Sequence, residues 1–331
     1  MTQVFVTGGS GFIGGHLISR LVAEGHNVQA LARSDRSAKR LAALGAIPVH
    51  GDLLDSLSLI DACAGCDLAF HLAGETTPRP RWQDCIRVNV NGTRTVLQAC
   101  REAGVRRLVH VSSEAVLSNG QPLRQVDETA PHHPDSKAPY PATKARAEQA
   151  VIEANCDGFE TVIVRPRFVW GAGDRVLLPE MVQMIRSGRW VWIDGGQIHT
   201  DITHVDNAVE GLVLAAHKGR PGRIYFITDG EPVVLRTFVS ELLNTQGLEP
   251  PARSIPFPLA WALTAGGEAA WRFLPLPGRP PLDWMALWLM SRECTVNISR
   301  ARQELGYEPV RSRADGLAEM RHQAVNDGSI V

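Results

Sequence analysis

A tyrosine and a lysine four residues apart are the side chains of this sequence best suited to proton transfer. Tyr140 and Lys144 lie in the stretch APYPATKARAEQAV, which predicts a helix and so places both side chains on one helix face. A lysine ammonium next to a phenol favours the phenolate and lowers the pKa of the phenol. A tyrosine tuned in this way can exchange a proton with a carbonyl or carbinol oxygen near neutral pH.

Two serines precede this pair at the end of an apolar run. Ser112 and Ser113 end the segment LVHVSS, which predicts a strand over residues 106–112. A serine hydroxyl can hold the same substrate oxygen that the tyrosine protonates. Serine, tyrosine and lysine in this order supply the proton half of a hydride transfer, in which a nicotinamide cofactor supplies the hydride.

The N-terminal segment TQVFVTGGSGFIGGHLISRL supplies the element that would hold such a cofactor. A short apolar run predicts a strand, and apolar residues from Phe12 and Ile13 onward recur at helical spacing. Between them lie Gly8, Gly11 and Gly14, at intervals of three residues. Glycines allow a sharp turn and the close approach of a phosphate, and the following helix points its positive end at that phosphate. The segment predicts a dinucleotide pyrophosphate site.

The end of the second predicted strand, over residues 26–32, indicates which dinucleotide is used. An acidic residue there would bind the 2′-hydroxyl of NAD and repel the 2′-phosphate of NADP. The sequence instead has Ala32, Arg33 and Ser34. An arginine beside a hydroxyl suits a 2′-phosphate, so we predict that NADP is preferred and that NAD is the alternative cofactor. The competing interpretation is that Arg33 is a solvated arginine at a strand end.

Strands and helices alternate along the first two thirds of the chain. Further strands are predicted over residues 47–49, 66–72, 160–165 and 224–227, with a helix over residues 88–100. This alternation predicts an α/β fold with a doubly wound parallel sheet, the NAD(P)-binding Rossmann fold. Ligands bind at the carboxyl ends of such strands. Leu72, Ala73 and Gly74 lie at one of these ends, and Asp52 with Leu53 lies where the adenine edge would be held.

The motifs TGGSGFIGGHL, GDLLD, HLAGE, VNVNGT, VSSEAV and APYPATKARAE together resemble the extended short-chain dehydrogenase/reductases, the NAD-dependent epimerase/dehydratase superfamily. The similarity is greatest to the 3β-hydroxysteroid dehydrogenase-like branch. The later segments VRPRFVWGAGD, THVDNAVEGLVLA and ARQELGYEP extend it to nearly the full chain.

The resemblance implies roles for particular residues. Ser113, Tyr140 and Lys144 would form the catalytic triad, Asn89 would support the sheet below the nicotinamide, and Pro166 would lie beside the carboxamide. The implied cofactor-binding residues are Gly8, Gly11, Phe12, Ile13, Gly14, Arg33, Ser34, Asp52, Leu53, Leu72, Ala73, Gly74, Asn89, Ser112, Tyr140, Lys144 and Pro166. The sequence departs from the sugar epimerases at Glu114, where those relatives carry a third hydroxyl, and this leaves Ser112 as an alternative to Ser113.

The chain is predicted to form two interleaved domains. Residues 1–169 with 196–230 form the dinucleotide-binding domain, and residues 170–195 with 231–331 form a smaller substrate domain. Residues 255–290 hold four of the eight tryptophans and many prolines. One interpretation of this segment is a proline-broken helical pair in the core of the small domain. The other is a lid that covers a large apolar substrate and rests on a membrane surface. We expect Trp284 and Trp288 to line the substrate site.

These features predict an NAD(P)-dependent oxidoreductase that interconverts a secondary alcohol and a ketone. The resemblance implies a small hydrophobic substrate: a 3β-hydroxysteroid, a sterol 4-carboxylate or a 2-alkyl-3-oxo acid. One alternative is a nucleotide-sugar epimerase or dehydratase with a tightly bound cofactor, and another is a non-catalytic NADP-sensing protein.

Composition bounds the remaining properties of the chain. A net charge of −1 gives no reason to expect a nucleic-acid partner. The six cysteines are scattered, and although Cys63 and Cys66 form a CxxC, no second pair follows at metal-ligand spacing, so we predict no metal site. No apolar run is long enough for a membrane span, although peripheral membrane contact stays open. The chain begins directly in a strand, so we expect no signal peptide and a cytoplasmic location. Related enzymes pair two helices across a two-fold axis, which implies a homodimer.

Overall fold

The fold begins with a buried strand that runs through a glycine turn into a helix, as the first twenty residues predict. The computed structural model describes residues 2–77, 80–273, 280 and 282–326. The strands, in chain order, are β1 Gln3–Thr7, β2 Asn27–Ala32, β3 Ile47–His50, β4 Leu68–His71, β5 Arg107–Val111, β6 Leu123–Val126, β7 Glu160–Pro166, β8 Val169–Trp170, β9 Trp192–Ile193, β10 His199–Thr200, β11 Thr203–His204, β12 Ile224–Ile227, β13 Val233–Val234, β14 Ser254–Ile255 and β15 Cys294–Val296.

Helices separate most of these strands. The α-helices are α1 Phe12–Ala23, α2 Asp35–Ala43, α3 Ser56–Cys63, α4 Trp82–Cys85, α5 Thr93–Glu102, α6 Pro139–Ala154, α7 Leu177–Arg186, α8 Val205–Lys218, α9 Leu235–Asn244, α10 Phe257–Phe273, α11 Trp284–Ser291 and α12 Arg313–Asn326. Short 3-10 turns cover Glu114–Leu117 and Asp194–Gly196, and π-helical turns cover Ile86–Gly92 and Ala301–Leu305.

Seven of the described strands form one parallel sheet in the order β12-β7-β5-β4-β1-β2-β3. The predicted doubly wound parallel sheet is confirmed. Its strands are apolar on both faces because both faces are covered by helices. In β1, Val4 and Val6 belong to the buried cluster that includes Leu17 of α1, whereas Phe5 belongs to a second cluster that includes Leu97 of α5.

Two local features place the reacting side chains. The predicted helix over residues 88–100 begins earlier, at α4, and passes through the π-helical turn Ile86–Gly92 before it becomes α5. Helix α6 begins at Pro139, so Tyr140 lies in its first turn, where a proline is tolerated because no intrahelical partner is lost. The phenol is therefore presented at the end of the helix that faces the carboxyl edge of the sheet.

A smaller sheet joins segments from both predicted domains. Its order is β13-β10-β15-β6, so β6 and β10 come from the predicted dinucleotide-binding ranges, and β13 and β15 from the predicted substrate ranges. A third apolar cluster, which includes Trp170, Trp192 and Phe238, also contains Val233 of β13. The division into two domains stays a prediction, and the small sheet is the element that connects them.

The tryptophan-rich segment 255–290 contains the predicted pair of helices, α10 and α11. Trp284 packs between Trp261 and Trp288, with ring centroids 6.1 and 6.2 Å away. Helix α10 leaves Leu259, Trp261 and Leu263 exposed. The prolines Pro275, Pro277 and Pro281 lie outside the described residues. No helix in the described part of the chain combines the length and hydropathy needed to cross a bilayer, and contact with a membrane surface stays a prediction.

Candidate active site

A cavity of about 1180 Å³ lies above the carboxyl ends of the parallel strands. Its wall includes residues that follow four strands of the sheet: Gly8 after β1, Leu72 after β4, Ser112 after β5, and Pro166 at the end of β7. A volume of this size exceeds the several hundred Å³ of an ordinary small-molecule pocket. The cavity has room for a dinucleotide and a second molecule.

The glycine turn between β1 and α1 forms one wall of this cavity, and its backbone leaves no space for side chains. Gly8 has φ of +73°, and a Cβ on it would lie 2.6 Å from the backbone nitrogen of Ala73. A Cβ on Gly14 would lie 2.3 Å from the carbonyl oxygen of Gly8. Gly11 precedes α1, and no side chain of the described residues caps that helix. The free N–H groups of this first turn suit a phosphate, so the turn fits a dinucleotide pyrophosphate.

Basic side chains gather at the end of the cavity beyond β2. Arg33 and Ser34 both line the cavity there. They are joined by Arg36 and Arg40 from the start and middle of α2, and by Arg175 from the loop before α7. Burial and then the neighbouring positive charges of Arg175 and Arg36 lower the pKa of Arg40. Such a cluster attracts an anion.

The predicted adenine and nicotinamide segments also line the cavity. Asp52 and Leu53 lie beside the basic cluster, where the Asp52 carboxylate accepts a hydrogen bond of 2.9 Å from the backbone N–H of Leu54. The cavity is also lined by Leu72, Ala73, Gly74 and Pro166, together with Phe12 and Ile13.

Asn89 is the one predicted site residue that lies outside the cavity wall formed by the described residues. It is buried in the π-helical turn. Its Nδ2 donates to Thr143 Oγ1 at 3.0 Å, and its Oδ1 accepts from the backbone N–H of Glu75 at 2.7 Å. Asn89 therefore ties the loop after β4 to helix α6, a positioning role behind the cavity.

Lys144 is buried in the wall of the cavity and reaches back to the sheet. Its Nζ donates to the carbonyl oxygen of Val111 at 2.7 Å. Burial lowers the pKa of Lys144 to about 8, and the negative charge of Glu148 opposes this change. The side chain thus has donors to offer a ribose hydroxyl, as expected for a lysine on the same helix face as Tyr140.

The Tyr140 phenol differs from the sequence-based expectation. Burial, and next the charge of Glu114, raise the pKa of Tyr140, and a contact with Ser113 acts in the opposite direction. We expected the neighbouring lysine to lower this pKa. The difference arises first because the phenol is buried and second because the carboxylate of Glu114 lies near it, whereas the Lys144 ammonium donates to Val111 and lies near Glu148.

The two serines point to different carboxylates. Ser113 Oγ donates to Glu114 Oε2 at 2.7 Å and accepts from the backbone N–H of Ala115 at 3.2 Å. Ser112 Oγ donates to Glu148, which lies about two helical turns along α6 from Tyr140. Ser113 is the serine that contacts Tyr140, so the geometry favours Ser113 over Ser112 as the partner of the tyrosine.

Glu148 is the centre of a buried network behind Lys144. Its carboxylate pairs with Arg165 at 2.5 Å and lies 2.8 Å from His132 Nε2. Burial alone would raise the pKa of Glu148, but the His132 hydrogen bond and the Arg165 charge lower it to about 2. The network keeps a negative charge fixed one helical turn from Lys144.

The end of the cavity beyond Tyr140 is apolar, and we call this part the apolar chamber. Its lining residues are Phe168, Val176, Leu177, Met181, Met184, Trp190, Trp192, Leu235, Val239, Leu282, Met285, Leu289 and Met290. The expectation that Trp284 and Trp288 line the site is wrong, because these two rings pack against each other outside the lining. The methionine and leucine face of α11 lines the chamber instead.

Sequence reasoning missed several residues of the site. Arg36 and Arg40 follow Arg33 at positions that helical spacing brings to the same side, a signal that was available in the sequence. Arg175 is distant in the chain and gave no signal. The ion pair between Glu114 and Arg167, both buried, also needed the structure to be seen.

The parallel sheet, the glycine turn and the tyrosine–lysine pair define a dinucleotide-dependent dehydrogenase or reductase of the Rossmann class. The chain matches the 3-beta hydroxysteroid dehydrogenase/isomerase family over residues 5–259, and it belongs to that family. It is 48% identical over 319 residues to the 4-hydroxy-2-methyl-3-oxo-4-farnesyl-3,4-dihydroquinoline-1-oxide ketoreductase of Stigmatella aurantiaca, with 96% of each chain covered.

Two further comparisons agree with this assignment. The chain is 35% identical over 329 residues to the 2-alkyl-3-oxoalkanoate reductase of Stenotrophomonas maltophilia, covering 96% of this chain and 98% of the other. The dTDP-glucose 4,6-dehydratase DesIV of Streptomyces venezuelae, solved with NAD bound, has a TM-score of 0.77 at 25% identity and covers 98% of this chain and 97% of its own. The predicted class is confirmed: the protein is an NAD(P)-dependent oxidoreductase acting on hydroxyl or keto groups.

Proposed function

We propose that this protein reduces a ketone on a bulky, largely hydrocarbon substrate, with NADPH as the preferred reductant. The observation that supports this most strongly is the position of Tyr140. It lies in one continuous cavity between the glycine turn, which fits a dinucleotide, and the apolar chamber, which fits hydrocarbon. A ketone held in the chamber would place its oxygen at the phenol.

The triad residues have separate roles in this proposal. When bound, the reduced nicotinamide supplies the hydride that the carbonyl carbon receives. Tyr140 donates the proton to the carbonyl oxygen, and Ser113 orients the phenol through their contact. Lys144 offers its Nζ donors to the ribose hydroxyls, and the buried Glu148 favours its charged form. Gly8, Gly11 and Gly14 would hold the pyrophosphate, with Asp52 and Leu53 at the adenine.

The preference for NADPH rests on the basic cluster. Arg33, Arg36, Arg40 and Arg175 converge where the adenosine ribose would lie. No acidic side chain that would select NAD follows β2, since the chain reads Ala32-Arg33-Ser34 at that point. The hydroxyl of Ser34 already accepts from the backbone N–H of Ser37 at 3.3 Å and begins α2. The arginines therefore supply the greater part of the phosphate binding.

The chamber indicates the substrate class. Its wall is formed by methionine, leucine, valine and tryptophan side chains, and each buried CH₂ of a ligand gains about 0.8 kcal/mol there. A sugar diphosphate would lose its hydration against these apolar side chains. The names of the relatives agree with this, because they act on a farnesylated ring ketone and on a 2-alkyl-3-oxo acid. A prenylated ring ketone, a 3-oxo steroid or a 2-alkyl-3-oxo acid would fit.

A single set of assays tests the proposal. Purified protein is given NADPH and a series of ketones of increasing hydrocarbon size, and NADPH consumption is followed by absorbance. We expect kcat/KM to rise with hydrocarbon size, and Tyr140→Phe to lower turnover roughly 10²–10⁴-fold while NADPH binding persists. Turnover of a nucleotide sugar without added cofactor, together with inertness toward all ketones, would instead establish the epimerase alternative.

The assembly state is proposed separately. We keep the homodimer predicted from the resemblance, with α5 and α6 as the paired helices and the same surface used by both copies. Light scattering at micromolar concentration tests it: a dimer mass supports it, and a monomer mass contradicts it.

A further inference from the structure

One short segment of the chain, residues 171–186, lines both the cofactor end of the cavity and the apolar chamber. The segment leaves β8 as a loop and continues as helix α7. Arg175 of the loop belongs to the basic cluster, whereas Leu177, Met181 and Met184 of α7 line the chamber. These three apolar residues are spaced four and three positions apart, so they lie on one face of the helix. The charge that faces the cofactor is thus two residues away from the first apolar residue that faces the substrate.

Contacts of helix α1 place this loop beside the basic cluster. His16 Nε2 donates to the carbonyl oxygen of Ala172 at 3.1 Å. The preceding residue, Gly15, faces Arg40, since a Cβ on Gly15 would lie 4.0 Å from Arg40 Nη2. This part of α1 therefore lies between the loop and Arg40. Burial and then the positive charge of Arg175 lower the pKa of Arg40, which agrees with this placement.

Asp174 joins the loop to the first turn of α7. Its Oδ1 accepts from the backbone N–H groups of Val176 and Leu177 at 2.8 and 3.2 Å, and its Oδ2 accepts from that of Leu178 at 2.8 Å. The residue directly before Arg175 thus binds three N–H groups of the helix start. Because these groups form one hydrogen-bonded unit, a displacement of Arg175 also displaces the start of α7.

Helix α7 is held by few buried contacts. Met181 is its one buried residue. Leu177 and Met184 are only partly buried in the third apolar cluster, because they face the cavity. Elements with few buried apolar contacts open locally at a small cost in free energy. A ligand that binds one placement of α7 better than others can therefore shift the helix toward that placement.

The other arginines of the basic cluster have no such connection to the chamber. Arg33 follows β2, and Arg36 and Arg40 belong to α2. No residue of β2 or α2 is among the described residues that line the apolar chamber. These three arginines can bind a phosphate, but Arg175 is the member of the cluster that is continuous with the chamber wall.

We propose that Arg175 is a specificity-determining residue that couples the two ligands: by holding the 2′-phosphate of NADP(H), it fixes α7 over the apolar chamber and completes the wall that the hydrocarbon substrate contacts. The inference rests on the proposed function. NAD(H) has no 2′-phosphate, so it leaves Arg175 without its anion and α7 unfixed. Coupling between two ligands on one protein is reciprocal and commonly changes affinity about 5- to 150-fold.

Hydrogen exchange of α7 tests the coupling without any substrate. Amide exchange of residues 177–186 is measured by mass spectrometry in the free protein and with saturating NADP⁺ or NAD⁺. We expect NADP⁺ to slow exchange in α7 about fivefold or more relative to NAD⁺. In Arg175→Ala the two complexes should exchange alike. Arg175 is exposed, so its replacement removes no buried contact of the fold.

Two control variants separate coupling from phosphate binding. Arg33→Ala should bind NADP⁺ more weakly, yet at saturation it should keep the slow exchange of α7, because Arg175 is still present. Arg186→Ala removes an exposed cation at the end of the same helix, outside the cavity lining. It should match wild type in both cofactor affinity and exchange.

A kinetic measurement connects the coupling to the substrate. In wild type, KM for a long-chain ketone such as 2-dodecanone should be lower with NADPH than with NADH, and in Arg175→Ala the two values should be equal. If wild-type α7 exchanges alike in the NADP⁺ and NAD⁺ complexes, or if Arg175→Ala keeps the difference, the inference is wrong. A wild-type protein that reduces no ketone would overturn the proposed function instead, since the exchange measurement uses no ketone.

Discussion

The Cα of Gly14 faces the carbonyl oxygen of Gly8 so closely that a methyl group on Gly14 would lie 2.3 Å from that oxygen. The next residue, Gly15, is different, because a methyl group there would meet its nearest neighbour at 3.7 Å, an ordinary contact distance. Of these two adjacent glycines at the start of one helix, only Gly14 therefore has a steric reason to be glycine. Gly14 closes the turn that faces the cavity, and Gly15 only packs against α2.

This difference gives a first prediction with a built-in control. Gly14→Ala must displace the glycine turn, at a cost of about 1–3 kcal/mol, so the dissociation constant for NADPH should rise roughly tenfold to a hundredfold. Gly15→Ala should bind NADPH as wild type does and gain about 0.5–1 kcal/mol of stability from the helix. Quenching of tryptophan fluorescence by NADPH measures the dissociation constant of each variant. Equal affinities in the two variants would remove the turn from the cofactor site.

The arginine cluster gives a second prediction. Arg33→Ala removes a charge-assisted contact to the 2′-phosphate, a contact of about 1.5–3 kcal/mol, so affinity for NADPH should fall roughly tenfold to a hundredfold. Affinity for NADH, which has no such phosphate, should change little. Lys39→Ala is the matched control, because Lys39 is an exposed cation of the same helix α2 outside the cavity lining. An equal loss for both cofactors would show that Arg33 only packs on the adenine.

The buried Glu148 network gives a third prediction, on stability against pH. The folded-state pKa of Glu148 is about 2, below the ordinary value of about 4.3. Its stabilisation is therefore complete above pH ~4.3 and is lost as the pH falls toward 2, an effect of roughly a few kcal/mol. Glu148→Gln should unfold more easily in urea at neutral pH and should show a flatter dependence of unfolding free energy on pH over that acidic window.

Glu153→Gln supplies the comparison for this measurement. Glu153 lies on the same helix α6 but is exposed, where it accepts a hydrogen bond of 3.0 Å from Gln149. Exposed interactions of this kind contribute little to stability. Glu153→Gln should retain the wild-type acid profile. If Glu148→Gln also retains it, the network does not stabilise the fold through the charge of Glu148.

Local pattern was sufficient to predict the sheet and the cofactor side of the cavity. The glycine turn, the strand ends and the Tyr140–Lys144 spacing each depend on a few residues that are close in the sequence. Periodicity and turn chemistry therefore identify them. Only part of the basic cluster could be predicted from the sequence. Arg33 lies at a predicted strand end, whereas Arg175 comes from a loop more than a hundred residues away.

Side-chain direction could not be predicted in the same way. The sequence places Ser113 and Tyr140 at the sheet edge, but the pKa of Tyr140 is raised by burial and then by Glu114, whose pairing with Arg167 forms only in the folded protein. The composition of α11 indicated an apolar wall, yet its tryptophans pack together while Met285 and Leu289 line the chamber. Which face of a helix is buried depends on its neighbours, and here those neighbours are distant in the chain.

The apolar chamber gives the last prediction. Met181 lines the chamber and is buried in the third apolar cluster, and Met320 is buried in the same cluster away from the lining. Met181→Ala and Met320→Ala should therefore lose comparable stability, about 2–5 kcal/mol. Only Met181→Ala removes hydrocarbon that a substrate would touch, a loss of about 1.4 kcal/mol or more for a ketone that fills the chamber.

The two variants separate substrate contact from general destabilisation. With assays well below the unfolding temperature of both proteins, Met181→Ala should raise KM for large apolar ketones about tenfold and leave KM for small ketones unchanged. Met320→Ala should leave both values at the wild-type level. If the two variants change KM alike, or if Met181→Ala affects small and large ketones equally, the chamber does not hold the hydrocarbon part of the substrate.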